Sequence, residues 1–158
     1  MRGISRRLVL GASALAASAA AAAAQSGEDK QASAARPGSA FAEHHLALQL
    51  SDRDPHKQAL VLSVANNLLK FYGPDLVAVE VVAFGPGIDL LRAESPNRVG
   101  VDSLIAQGVR FDVCMNTVET IARETGERPA LNDKAVPVEA GVAQLLTLAE
   151  AGFTIVRP

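Results

Sequence analysis

The stretch Val109-Arg110-Phe111-Asp112-Val113-Cys114-Met115-Asn116-Thr117 reads as a buried strand running directly into a helix, and it holds the chain's one cysteine. Apolar side chains at 109, 111 and 113 alternate as a strand requires. Gly108 closes a preceding helix, and Asn116 with Glu119 three residues on makes a capping-box pattern ahead of Ile121 and Ala122. Cys114 therefore falls at a strand's carboxyl end, just before a helix N-terminus. In open α/β sheets that edge is where ligands bind, and the unpaired amides and helix dipole there favour a thiolate. A free cysteine is also a small hydrophobe that cores bury readily, so the position equally admits a packed, inert thiol. With no second cysteine, an intramolecular dithiol mechanism is excluded, and one thiolate without clustered histidines does not make a zinc site. A single-thiol carrier, a nucleophile and packing remain.

Moving outward, Leu76 to Phe84 is almost unbroken in apolar residues apart from Glu80, the pattern of a central parallel strand buried on both faces. Before it, Leu46, Leu48 and Leu50 alternate in a first strand from His45. Asp54 with Pro55 opens a helix striped with apolar residues at 61, 64, 65, 68, 69 and 72 and stopped by Gly73-Pro74. Gly85-Pro86-Gly87 starts a short helix through Ile88, Leu90 and Leu91, and Ser95-Pro96 starts another that ends at Gly108. After the cysteine come a helix from Thr117 to about Glu124, a loop from Glu127 to Lys134 that could serve as a lid or partner surface, and a short strand at Val136 to Val138. A helix from Gly141 to Ala151 with Val142, Leu145, Leu146 and Ala149 on one face, and a last strand from Phe153 to Val156, complete the chain. Strand and helix alternate, five strands in all. This predicts a single α/β domain, a three-layer sandwich with a five-stranded, mainly parallel sheet and helices on both faces.

At 158 residues the chain has room for one ordinary domain. Residues 1–24 carry Arg2, Arg6 and Arg7, no acid, and an alanine-rich apolar run from Leu8 to Ala24 ending in a small-residue cleavage pattern, which reads as a signal peptide. The run falls short of the roughly 20 strongly apolar residues that span a bilayer, so no stable membrane anchor is expected. It also lacks the amphipathic period of a mitochondrial transit peptide. Ser5-Arg6-Arg7-Leu8-Val9-Leu10 is similar to a twin-arginine export signal, which points to the periplasm. Residues 25–42 are poor in large apolar side chains and read as a flexible segment before the domain at 43–158. Without the leader the chain keeps 12 of its 15 Lys+Arg and all 17 Asp+Glu, a formal charge of −5 that argues against a nucleic-acid partner. Export would set Cys114 in an oxidising compartment, where an unpaired cysteine is buried, paired between molecules or kept for chemistry.

Other candidates read as structural. Gly85-Pro86-Gly87 lacks the third glycine of a dinucleotide fingerprint, since Leu90 stands there, and Pro86 removes an amide that could cradle phosphate. Asp52 and Asp54 fit a turn and a helix cap better than a cation site. His44 and His45 point to opposite faces if extended, which denies them a shared metal. His56 could reach Cys114 only if the first and third strand ends are neighbours. No cofactor or metal is implied.

Taken together, Leu48-Gln49-Leu50-Ser51-Asp52, Asn66-Asn67-Leu68-Leu69, Val79-Glu80-Val81-Val82-Ala83-Phe84-Gly85-Pro86-Gly87 and the cysteine segment from Gly108 to Thr117 make residues 44 to 158 resemble the DsrE family. This family comprises DsrE/DsrF-like proteins and includes subunits of bacterial sulfur-relay complexes; the closer likeness is to exported, single-cysteine members. The resemblance implies a five-stranded α/β sandwich, assembly as a homotrimer or hexamer, and a cysteine at Cys114 that takes and passes on sulfur as a persulfide, with a thiol or persulfide protein as donor or acceptor. Amides near Met115, Asn116 and Thr117 would stabilise the anionic sulfur. Asn116 either caps the helix or donates to the sulfur, and the strength of the cap preference favours the first. The competing expectation is a non-catalytic oligomeric binding or structural module whose cysteine is packed and inert.

Overall fold

The computed structural model describes residues 41–158; the signal peptide expected at 1–24 and the rest of the segment through residue 40 lie outside the described residues. Five strands form one parallel sheet: β1 (His44–Leu50), β2 (Val77–Ala83), β3 (Arg110–Cys114), β4 (Val136–Val138) and β5 (Thr154–Val156), in the order β4-β3-β2-β1-β5. Every pairing is parallel, with Leu48 beside Val81 and Val81 beside Phe111 at the centre. The expected α/β sandwich is the fold observed.

The strand order decides which face each helix covers. Steps from β1 to β4 all move in one direction, so right-handed crossovers set α1 (Pro55–Tyr72), α2 (Arg98–Ala106) and α3 (Met115–Thr125) on a single face. The return from β4 to β5 reverses direction and carries α4 (Gly141–Glu150) to the other. Two cores result. Leu48, Leu50, Val79, Val81, Phe111 and Val113 pack under α1 to α3, whereas Ala47, Val82, Leu145, Leu148 and Phe153 pack under α4. Because side chains alternate along a strand, Glu80, Asp112 and Cys114 fall on the α4 side.

Local chemistry fixes the ends of α1 as expected. Asp54 Oδ1 accepts the His56 amide at 2.8 Å, Pro55 occupies the first turn, and Gly73 follows the last residue. Three details differ from the sequence expectation. Ser95-Pro96 forms a turn in which Ser95 accepts from Asn97 and Arg98, so α2 begins at Arg98. Gly85–Leu91 is a 3-10 helix. In α4 the buried residues are Gly141, Leu145 and Leu148, and Val142 and Leu146 are more than 60% exposed. The helix is apolar almost all round, so two stripes fit the period equally well. The one chosen includes Gln144, which finds a polar partner on the sheet.

Candidate functional site

Cys114 closes β3 and is itself the N-cap residue of α3, with φ −71° and ψ 113°. The helix starts at Met115, so the strand hands over to the helix with no linker. That tight junction aims the amides of Asn116 and Thr117 at the sulfur, the Asn116 amide being shared with the Glu139 carbonyl, to which it donates at 3.1 Å. A third amide comes from Gly141, the first residue of α4. Two helix N-termini therefore converge on one sulfur, one following Cys114 in the chain and the other arriving from beyond β4. The Thr117 hydroxyl adds a fourth donor. Its oxygen accepts the Gly85 amide at 2.9 Å, which leaves its proton to point at the sulfur. Gly85 has φ +52°, in the left-handed region that favours glycine, and that turn is part of what aims its amide.

Burial opposes ionisation here and is the largest single influence on Cys114, whose residue is 5% exposed. The Thr117 hydroxyl and the amides of Gly141, Thr117 and Asn116 together outweigh it and hold the thiol below its ordinary value. The result is a sheltered sulfur in a nest of donors, the arrangement that stabilises a thiolate or a persulfide anion.

Of the residues expected from sequence to support Cys114, Thr117 does so through both hydroxyl and amide. Asn116 contributes its amide alone. Its exposed side chain does not cap α3, and Glu119 pairs with Arg128, so the expected capping box is not formed. The reason is positional: Cys114 already occupies the cap site, which leaves Asn116 inside the first turn. Met115 turns away to pack against the larger core. Gly141 and Gly85 were not expected. Gly141 reaches the sulfur because β4 lies beside β3, a neighbourhood that strand order creates and periodicity does not reveal. A Cβ on Gly141 would stand 2.9 Å from the Phe84 Cβ, so the close approach of α4 needs glycine.

The remaining candidates take structural roles. β2 lies between β1 and β3, so the strand ends that His56 needed as neighbours are separated, and the exposed His56 forms no pair with Cys114. His44 stacks on Tyr72 and His45 on Phe153, on opposite faces. Asp52 is held below the usual carboxylate range by Arg157 and Lys57. Among the described residues no group of three or more His, Cys, Asp or Glu could hold a metal, and no helix is long and apolar enough to cross a membrane. The loop after α3 is tied down by Ala130 to Ala93, by Asn132 to Leu91 and by the Asn132 side chain to Asp102.

A charged cluster lies below the cysteine on the same face of the sheet. Asp112 is fully buried and Glu80 is 2% exposed, with one cation between them: Arg110 Nε lies 2.7 Å from Asp112 Oδ1 and 3.6 Å from Glu80 Oε1. Gln144 of α4 donates to Glu80 Oε1 at 2.7 Å. Burial, and next the adjoining Glu80, push the Asp112 carboxyl up to about 8. Two carboxyls share one guanidinium, so a proton stays on the pair at neutral pH. That proton also gives a role to Asp112 Oδ2, which no donor faces.

Fold and site together define a parallel α/β domain with one cysteine held where two helix N-termini meet. Among solved structures, the chain is similar to MTH1491 from Methanobacterium thermoautotrophicum, a protein of unknown function. The two are 28% identical over 73% of this chain and all of that one, with a TM-score of 0.66. No family model and no curated protein matches the chain.

Proposed function

We propose that this protein is a single-thiol sulfur carrier of the DsrE-like type, working through Cys114. The observation that carries the proposal is the meeting of two helix N-termini and the Thr117 hydroxyl at one sulfur, where Cys114 is the cap residue of α3 and Gly141 the first residue of α4. In the first step the Cys114 thiolate attacks the sulfane sulfur of a donor such as thiosulfate. A Cys114–sulfur bond forms, the donor's sulfur–sulfur bond breaks, and sulfite leaves with the electron pair. The product is a persulfide anion, for which the same donors are suited. In the second step an acceptor thiolate attacks the outer sulfur, and Cys114 departs as thiolate. No net oxidant is consumed. The export signal of residues 1–24 assigns this work to the periplasm, and the family resemblance adds a homotrimer or hexamer, testable by light scattering.

Intact mass of the mature protein, after brief exposure to thiosulfate or polysulfide and removal of excess reagent, tests the reading. Wild type is expected to gain sulfur and return it to an added thiol, while Cys114→Ser gains none. The 5% exposure of Cys114 favours a second reading, an inert packed thiol in a binding module. That reading predicts no gain by the native protein and ready reaction only after unfolding.

A further inference from the structure

The amides of Asn116 and Thr117 reach the sulfur by local geometry, because α3 begins where β3 ends. The Gly141 amide is brought near by β4, since Val138 pairs with Cys114 and the Glu139 carbonyl accepts the Asn116 amide, but α4 lies on the opposite face of the sheet from α3 and must be seated in one rotation for Gly141 to meet Cys114. Its apolar residues do not enforce that rotation. Val142, Leu146 and Ala149 form a stripe as regular as Leu145 and Leu148, and apolar contact is non-directional. The directional contact that a side chain of α4 makes with the sheet is the 2.7 Å hydrogen bond from Gln144 to Glu80. Gln144 lies three residues after Gly141, on the same face of the helix.

We propose that Glu80 and Gln144 are positioning residues for the Cys114 site, their hydrogen bond fixing the first turn of α4 so that the Gly141 amide meets the sulfur. The proposal rests on the reading of Cys114 as a working thiol. It also accounts for a costly arrangement. Apolar side chains at 80, 112 and 144 would fill the same space without burying two carboxyls and a guanidinium, and a buried ionic cluster is weak support for stability. What such a cluster supplies is register. Arg110, itself fixed to Asp112 Oδ1 at 2.7 Å, holds the Glu80 carboxyl from 3.6 Å.

The test is the Cys114 thiol titration, followed by thiolate absorbance and by alkylation rate against pH, in wild type, Gln144→Leu, Glu80→Leu and Glu80→Gln, with the thermal midpoint of each. Gln144→Leu and Glu80→Leu are expected to lower the thiolate fraction at neutral pH about fivefold or more, the scale of weakening one bond to an anion. Glu80→Gln keeps an acceptor for the Gln144 amide and is expected to restore most of that loss. If Gln144→Leu does not fold, Gln144→Ala makes the same comparison. A lowered melting point with an unmoved thiol titration in the leucine or alanine variants would overturn the proposal, leaving Glu80 and Gln144 as packing alone. Failure of the underlying reading looks different: the wild-type thiol itself would titrate at or above its unfolded value.

Discussion

At the scale of single residues, Thr117 joins three parts of the site: its amide and hydroxyl face Cys114, and its oxygen receives the Gly85 amide. Thr117→Val removes one donor from the sulfur and strands a second at Gly85, while Thr117→Ser keeps both contacts. A hydrogen bond to a charged group is worth about 1.5 to 3 kcal/mol, so the valine variant is expected to raise the thiol titration by about one pH unit or more, and the serine variant far less. Alkylation rate against pH checks this. The sign of the linkage follows from the lowered thiol. A group whose folded value lies below its unfolded 9.0 stabilises the fold fully above that pH and loses the contribution as pH falls through the folded value. The stability advantage of wild type over Cys114→Ser is therefore expected to grow from neutral to alkaline pH in denaturant titrations. Cys114 was legible in the sequence because a lone cysteine between a strand alternation and a helical period leaves little choice of place. Asn116 misled, since the cap preference of its side chain is real but the helix starts one residue after Cys114.

At the scale of elements, the seat of α4 is the part that periodicity left open. Its buried face could be chosen only by knowing that Glu80, in a strand of otherwise apolar residues, needs a partner above it. Gly141→Ala puts a Cβ about where Phe84 already stands, so the first turn of α4 must lift; a loss of about 1 to 3 kcal/mol is expected by urea titration, together with a raised thiol titration. The carboxyl pair under the same helix carries its own pH dependence. Asp112 keeps its proton in the fold up to about 8, whereas the unfolded chain releases it near 3.8. The fold thus binds the extra proton in that window, and this contribution to stability falls as pH rises through it. Asp112→Asn is expected to flatten that decline, with Glu80, Arg110 and Gln144 still in contact. An unchanged slope in the asparagine variant would show that the pair does not hold the proton.

Across the whole molecule, strand order unites these parts. Alternation of strand and helix was enough to foresee a parallel sheet with helices on both faces, and the apolar run of β2 was enough to place it at the centre. Order itself depends on contacts between segments distant in the chain, so the neighbours of Cys114 beyond its own helix could not be read in advance. The observed order separates β1 from β3, which removes His56 from the site, and sets β4 next to β3, which brings in Gly141. Among the described residues the α4 face is covered by one helix, with Leu148 fully buried in the smaller core. Leu148→Ala is expected to cost about 2 to 5 kcal/mol in urea titration.

Two helix N-termini and one hydroxyl hold the Cys114 thiol below its ordinary value despite its burial. The most direct measurement is the pH dependence of Cys114 alkylation in the native protein against the same chain in denaturant, with a small uncharged reagent. A native midpoint clearly below the denatured one, with measurable native reaction at neutral pH, is expected. A native midpoint at or above the denatured value, or reaction only on unfolding, would contradict it and leave the cysteine as packing.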